Sequence, residues 1–418
     1  MMISSILSDD NLSSLIMIAI YTGDNEISTS DMFQNVKDKF SISFTESDKE
    51  KISLIYIRSR SLLEAKRYPV FTMLCQSLSS MIVAIECVLR LTPEVYIDTT
   101  GASFPYPLLR ALTSTRVIAY VHYPTISQDM LNLVAEKRPS YNNDARITSS
   151  GTRSSMKLLY YRLFASVYHV AGLCADTVMV NSSWTERHIR SLWSRRNCSH
   201  PRIIRVYPPC NTENWLKLPS GPRKRQILSL GQFRPEKDHR LQLQAFYMLR
   251  QQGKRYEDVT LVMFGGCRGA EDVELVDRLH DEAKRMGLQD HVIFHVNGSY
   301  SELVTALTEA AVGLHTMWNE HFGISVVEMM AAGLVVVAHK SGGPLEDIIR
   351  SEKDGEGILG YLADSPETYA DCLAHALNSY DTNEDKEVRK RARESVERFS
   401  DKIFRETVTR EFACLLCK

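Results

Sequence analysis

A chain of 418 residues, 44% of them hydrophobic, is long enough to bury two substantial cores. A formal net charge of −1 at pH 7 leaves no overall basic excess, which argues against nucleic acid as a partner. No apolar run reaches about 18 uninterrupted residues, so no segment reads clearly as a transmembrane helix.

Residues 1–20 carry Asp9 and Asp10 where a signal peptide carries basic residues. Nine cysteines without even spacing suit reduced thiols in a cytosolic protein. Cys414 and Cys417 form a CxxC, but no second pair stands nearby to complete a zinc site. The sequons at Asn11, Asn181, Asn197 and Asn297 carry no meaning in that compartment.

Residues 15–21 read as a strand ending in Thr22-Gly23-Asp24, and 53–57, 95–98 and 117–121 as three more. Helix-like segments separate them, which predicts βαβ units over a parallel sheet. Residues 71–91 are strongly apolar but interrupted by Gln76, Glu86 and Arg90. They predict a buried or membrane-surface helix rather than a span. Two strand ends fall where parallel sheets bind ligands, Asp98-Thr99-Thr100-Gly101 and Val121-His122-Tyr123-Pro124. His122 closes a buried-type strand shortly before Pro124, so its ring would face the crevice; a lone histidine is nonetheless more often structural. Residues 157–164, KLLYYRLF, form an amphipathic helix that packs on its own domain. The alternative is a membrane-surface helix with Lys157 and Arg162 at the lipid head groups. A strand over 176–180 then leads to Asn181-Ser182-Ser183-Trp184-Thr185, a turn and N-cap. The strand within 201–209 ends at Pro208-Pro209, where the backbone stiffens. The domain boundary belongs there, giving residues 1–208, 209–394, and a closing helical segment over 395–418.

In the second half, a strand over 226–230 is followed by Gly231-Gln232-Phe233-Arg234-Pro235-Glu236-Lys237. A glycine at a strand end followed by Arg and Lys suits a diphosphate, since Arg offers a planar fork of donors and Lys a point charge. A solvated charged loop is the plainer alternative. A helix over 239–250 and a strand over 259–264 come next. The strand ends in Gly265-Gly266, which is not a GxGxxG fingerprint and disfavours NAD. A helix over 271–286, a strand over 292–295 and a helix over 301–311 lead into the stretch 311–349. There a short apolar strand, 312–315, meets a polar loop, 318–322. Gly323 and Ile324 open an apolar helix that stops at Gly333, a residue suited to the left-handed position after a helix. Residues 334–338 are a continuous apolar, β-branched run, the mark of a parallel strand buried on both faces. Ser341-Gly342-Gly343-Pro344 starts another helix, with proline near its first position.

The N–H groups near Gly323 would point out of a helix start, which favours phosphate, and glycine lets a ligand come close. Glu320 in the loop and Glu328 in the helix frame that point. Carboxylates repel phosphate but accept two hydrogen bonds at once from hydroxyls. The local chemistry therefore suits a central diphosphate with a polyol at each end, as in a nucleotide sugar. Two incidental glutamates on a buried helix would not account for the glycines and the ordered loops.

The pattern Glu320-His-Phe-Gly-Ile-Ser-Val-Val-Glu328, followed by MMAAG, a buried strand and SGGP, resembles the Glu-x7-Glu motif of retaining glycosyltransferases of family four. That resemblance implies an α/β GT-B fold: two Rossmann-like parallel-sheet domains facing a central cleft, with the last helix crossing back to the first domain. It makes Glu320 catalytic, with His122 touching the transferred sugar. Gly231, Arg234, Lys237, Phe322, Gly323, Ile324 and Glu328 become the donor-binding set, Glu328 on the ribose and Arg234 and Lys237 on the diphosphate. The family's usual Gly-Arg is Gly231-Gln232 here, so Arg234 is expected to supply the guanidinium, while Lys237 keeps its place. The sequence holds no Asp-x-Asp pair, so no metal and no cofactor is expected.

GQFRPEK, YVHYPTISQDML, VYIDTT and WNEHFGISVVEMMAAG narrow the resemblance, which covers roughly residues 14–416, to one branch. These are the eukaryotic α-1,2-mannosyltransferases of dolichol-linked oligosaccharide (N-glycan precursor) assembly. The implied partners are GDP-mannose, a dolichol-diphosphate-linked oligosaccharide, the membrane surface and other mannosyltransferases of the pathway. The implied reaction adds the fourth and fifth mannoses at the cytosolic face of the endoplasmic reticulum. The branch opens with a membrane helix, a strand and a glycine-rich loop; here residues 15–21 resemble its second strand, and 1–13 look unrelated. The alternatives are therefore a truncated, catalytically silent, membrane-associated form that keeps donor binding, or a family-four transferase using a UDP-sugar.

Overall fold

Apolar runs become parallel strands in two separate units of a computed structural model that describes residues 1–40, 42–126, 151–194, 200–219, 221–349 and 357–416. The end of YVHYPTISQDML, the sequon at Asn197 and Cys417 lie outside the described residues. The first unit comprises 1–181, 185–207 and 404–418; the second comprises 182–184 and 208–403.

In the first unit β1 (Ile18–Thr22) pairs with β2 (Ile52–Tyr56). A separate sheet holds β3 (Val95–Asp98), β4 (Arg116–Val121), β5 (Thr177–Val180) and β6 (Arg202–Arg205) in that order, all parallel. β5 is buried at every position, and β4 at all but its first, as their unbroken apolar sequence requires.

The first strand starts at Ile18, not at residue 15. Asp9 accepts the Leu12 N–H at 3.0 Å and so caps a short helix, Asp10–Leu15, which takes Leu15, the first residue of the predicted strand. The closing helix is also not continuous from 395. A helix over Asn383–Ser395 gives way to a 3₁₀ turn, Val396–Phe399. The Phe399 carbonyl accepts the Cys210 N–H at 3.0 Å and Ser400 is extended, so helical bonding stops. A new helix, Asp401–Leu416, then places Phe404, Val408 and Phe412 against Ile118, Tyr120 and Met179 of the first unit. The spacing of four keeps the three on one face. Burying each contributes roughly 1.5–3 kcal/mol.

The 71–91 stretch folds as a helix, Thr72–Arg90. Ser80, Val83, Ala84 and Cys87 face inward, while Leu74, Leu78, Ile82, Ile85 and Leu89 are exposed. By length and composition it is apolar enough to cross a membrane. The 157–164 stretch lies in a longer helix, Gly151–Gly172, which exposes Met156, Leu159, Leu163, Val167 and Val170.

The second unit is one six-stranded parallel sheet in the order β12-β11-β10-β7-β8-β9. Its strands are β7 (Lys224–Leu230), β8 (Thr260–Gly265), β9 (Val292–Val296), β10 (Ala310–His315), β11 (Val335–His339) and β12 (Tyr361–Ala363). β10 and β11 are buried at every position. The predicted helix after SGGP is a single π-helical turn, Pro344–Ile348.

Candidate active site

The site grows from the carboxyl ends of β7 and β10, neighbours in the sheet. β7 runs into Gly231, whose N–H donates to the Phe264 carbonyl of β8 at 3.0 Å. The chain then makes a 3₁₀ turn, Pro235–Lys237, and Asp238 caps the helix His239–Gln251 by accepting the Leu241 N–H at 3.2 Å. β10 ends at His315, and Thr316 ties the two strand ends together. Its hydroxyl donates to the Lys237 carbonyl at 2.8 Å and receives the Gln242 amide at 2.9 Å.

This scaffold brings Lys237 onto Glu320. The ammonium lies 2.5 Å from Glu320 Oε2, and His315 Nε2 lies 3.3 Å from the same oxygen. His315 is buried, and its Nδ1 has no hydrogen-bond partner among the described residues. Burial alone would raise the Glu320 carboxyl. The His315 hydrogen bond and the charges of Lys237 and His315 outweigh it and hold Glu320 well below the usual carboxylate range. His239 lies against Phe233 with ring centroids 5.0 Å apart, and burial, then Lys237 and His315, push it down to about 4.

The loop carrying Glu320 is clamped from behind by the SGGP segment. Gly343 N–H donates to the Glu320 carbonyl at 2.8 Å. A Cβ at Gly342 would stand 2.2 Å from that same oxygen, and one at Gly343 2.2 Å from the Phe322 carbonyl. Only glycine allows the two loops to approach so closely. Ser341 Oγ accepts the Asn319 N–H at 2.8 Å and meets His339 Nδ1 at 2.8 Å. These contacts fix the loop before any ligand arrives.

Gly323 takes φ +112° and opens the helix Ile324–Ala331. Val326, Val327, Met329 and Met330 are buried, which leaves Glu328 half-buried on the remaining face. Burial raises the Glu328 carboxyl to about 7. The Trp215 indole N–H pulls the other way, although it completes no hydrogen bond of full geometry.

That shift has a sign. The folded chain keeps a proton on Glu328 that the unfolded chain releases above its ordinary value of 4.5. The stabilising contribution is full below that value and is lost as pH rises through about 7. Glu328→Gln should therefore melt near the parent at pH 5 and above it at pH 8, by on the order of 1–3 kcal/mol. Melting curves at the two pH values with the same gap would refute it.

The other expected residues separate. Phe322 is buried, and its ring packs edge-on against Phe399 at 5.2 Å. Ile324 is 44% exposed at the helix start. Arg234 shares the Lys237 turn, but its guanidinium lies 3.9 Å from Glu236 and pairs with no nearer acid among the described residues. In the first unit His122 stands exposed at the end of β4, its ring edge-on to Tyr120 at 4.9 Å. Its neighbour Asp98 is committed to its own turn, taking the Thr100 N–H at 2.7 Å and the Tyr106 hydroxyl at 2.5 Å. Sequence reasoning missed His315, Thr316 and Trp215. The first two stand at a strand end, the same signal that picked out His122; nothing in the sequence marks Trp215. Among the described residues no group of three His, Cys, Asp or Glu side chains could hold a metal ion.

The family model described as "ALG11 mannosyltransferase N-terminus" matches residues 2–193, and "Glycosyl transferases group 1" matches 213–395. The mouse protein named GDP-Man:Man(3)GlcNAc(2)-PP-Dol alpha-1,2-mannosyltransferase is 44% identical over 391 residues, which is 92% of this chain and 77% of its own length. The chain belongs to this mannosyltransferase family. The human member is 42% identical over 394 residues, covering 93% of this chain and 78% of its own. Among solved structures, a sucrose-phosphate synthase from Thermosynechococcus elongatus is similar at a TM-score of 0.65 and 16% identity, over 96% of this chain and 99% of that one. A glycosyltransferase from Rickettsia africae is similar at 0.60 and 15%, over 96% and 98%. The fold of the family member described here is thus GT-B, with a parallel sheet in each unit.

Proposed function

We propose that the chain is a retaining glycosyltransferase that moves mannose from GDP-mannose to a dolichol-diphosphate-linked oligosaccharide, forming α-1,2 linkages. In this reading it adds the fourth and fifth mannoses at the cytosolic face of the endoplasmic reticulum. The observation that carries the reading is Lys237 and Glu320 meeting at 2.5 Å beside the start of the Ile324–Ala331 helix, in a chain of this family. Lys237 and the N–H groups of Gly323 and Ile324 take the diphosphate, with Gly231 leaving room and Arg234 swinging from Glu236. Glu328 takes the ribose, and Glu320 and His122 the sugar. Because Glu328 accepts ribose hydroxyls as a carboxylate, nucleotide affinity weakens as pH falls below about 7.

The test supplies the purified chain with GDP-mannose and a lipid-diphosphate-linked trimannosyl acceptor. The expected product carries added mannose that an α-1,2-specific mannosidase removes. No transfer, or equal use of a UDP-sugar, would overturn the reading. Lys237 and the helix start offset the diphosphate charge in place of a divalent ion. A chelator in the same assay should leave the rate unchanged; a loss restored by magnesium would show a metal requirement.

The acceptor reading also needs a membrane. Phe71 and Tyr160 meet edge-on at 5.6 Å, which joins the helices Thr72–Arg90 and Gly151–Gly172. Their two exposed apolar stripes share the first unit, and Arg162 is exposed among them. The Lys157 ammonium instead lies over the Tyr161 ring at 5.5 Å. We infer that this face docks on the bilayer. Flotation with liposomes should carry the chain upward, and Leu78→Ser with Ile82→Ser should release it. A chain that floats equally well with both serines would remove the inference.

A further inference from the structure

One cavity of the first unit, wide open to solvent, lies at the end of the Thr72–Arg90 helix whose exposed stripe is described above. Its volume is about 580 Å³, and Arg58, Ser61, Leu62, Leu89 and Arg90 line it together with Ser59 and Glu86. It forms because the 3₁₀ turn Ser59–Leu63, just after β2, packs on the last turns of the Thr72–Arg90 helix. Glu86 anchors that turn. Its carboxylate accepts the N–H groups of Arg58 and Ser59, both at 2.9 Å, and the Ser59 hydroxyl at 2.6 Å. The same carboxylate stands 3.4 Å from the Arg90 guanidinium, a long, half-exposed pair that contributes little. Arg58 makes no ion pair among the described residues.

The chain segment that supplies this turn is basic. Arg60, Lys66 and Arg67 share the stretch 58–67 with the single acid Glu64, which pairs with Lys66 at 2.8 Å. The cavity is also continuous with an apolar track. Leu74, Leu78, Ile82, Ile85 and Leu89 form one stripe along the helix, and Leu89, 82% exposed, is the residue that enters the cavity wall. From Leu74 to Leu89 the stripe runs about 22 Å. A long apolar track ending at two guanidinium groups matches a lipid with an anionic head. Each guanidinium can take a phosphate through two hydrogen bonds, so two of them match two phosphates.

We propose that this cavity binds the diphosphate of an isoprenoid-linked diphosphate, with the start of the isoprenoid lying along the stripe. The identity of the lipid rests on the acceptor reading above; the test measures binding and not transfer, so the two can fail separately.

The full chain is mixed with three sets of phosphatidylcholine vesicles: plain, carrying a polyprenyl diphosphate, or carrying phosphatidylserine at matched charge. The expected result is the tightest binding to the polyprenyl diphosphate vesicles. Arg58→Ala with Arg90→Ala should remove that preference, about tenfold or more, and leave weak binding to plain vesicles intact. Arg58→Lys with Arg90→Lys keeps the charge but not the fork, and should recover only part of it. Equal binding to the phosphatidylserine vesicles would reduce the cavity to a general anion patch and overturn the proposal. So would an alanine pair that keeps the preference while melting like the parent. Selective binding by a chain that transfers no mannose would support the cavity and sink the acceptor reading.

Discussion

Lys237→Ala should lower the affinity for GDP by about tenfold or more and leave that for guanosine nearly unchanged. A charge-assisted hydrogen bond in a partly dry site contributes about 1.5–3 kcal/mol, and guanosine offers no phosphate to receive it. The lysine side chain is 23% exposed and Glu320 14%, so water screens the pair only in part. Without ligand the ammonium rests on Glu320; with a diphosphate present the phosphate oxygens compete for the same proton donors. The turn itself should survive, because Thr316 holds it through the Lys237 main-chain carbonyl at 2.8 Å. Lys237→Arg keeps a cation there and should lose less. Calorimetry with GDP and guanosine checks both variants. Equal losses for the two ligands would show that the lysine acts through the fold.

Most of this unit was legible because its strands are continuous apolar runs. Residues 334–338 could only be a strand buried on both faces, and β11 is that. What the sequence did not reveal was mostly long-range. Lys237 and Glu320 are 83 residues apart, and nothing local says that one oxygen serves both Lys237 and His315. The paired glycines of SGGP read as a helix start; their use is to let that loop press on the Glu320 backbone. Phe322, in the Glu320 loop, packs its ring on Phe399 from a distant turn, a contact that nothing local marks. The same Phe399 turn ends the helix that periodicity would have continued, since its carbonyl is needed by Cys210. At the start, the helix that Asp9 caps runs on to Leu15, so the first strand begins later than its apolar run suggests.

Glu320→Ala should abolish most mannose transfer, on the order of a hundredfold or more, while GDP affinity stays within a few-fold. The carboxylate is held charged far into acid by His315 and Lys237, so it is a fixed negative charge across the working pH range. As the bond to the leaving GDP breaks, the sugar gains positive character. A preorganised carboxylate beside it favours that charge more in the transition state than in the bound donor. Such an interaction lowers turnover when removed, with little change in ground-state binding. The ion pair sharpens the expectation. Removing Glu320 frees Lys237 from its 2.5 Å partner, so the lysine is at least as available to the diphosphate as before. Glu320→Gln keeps the shape and one acceptor oxygen but not the charge, and should fall between alanine and the parent. Transfer rates at saturating GDP-mannose, set beside GDP affinities, separate these cases. If Glu320→Ala transfers mannose at near-parental rate, this carboxylate has no part in the chemistry. If it instead loses GDP binding in proportion to transfer, its role is to hold the loop that Gly343 clamps, and the catalytic charge must come from elsewhere.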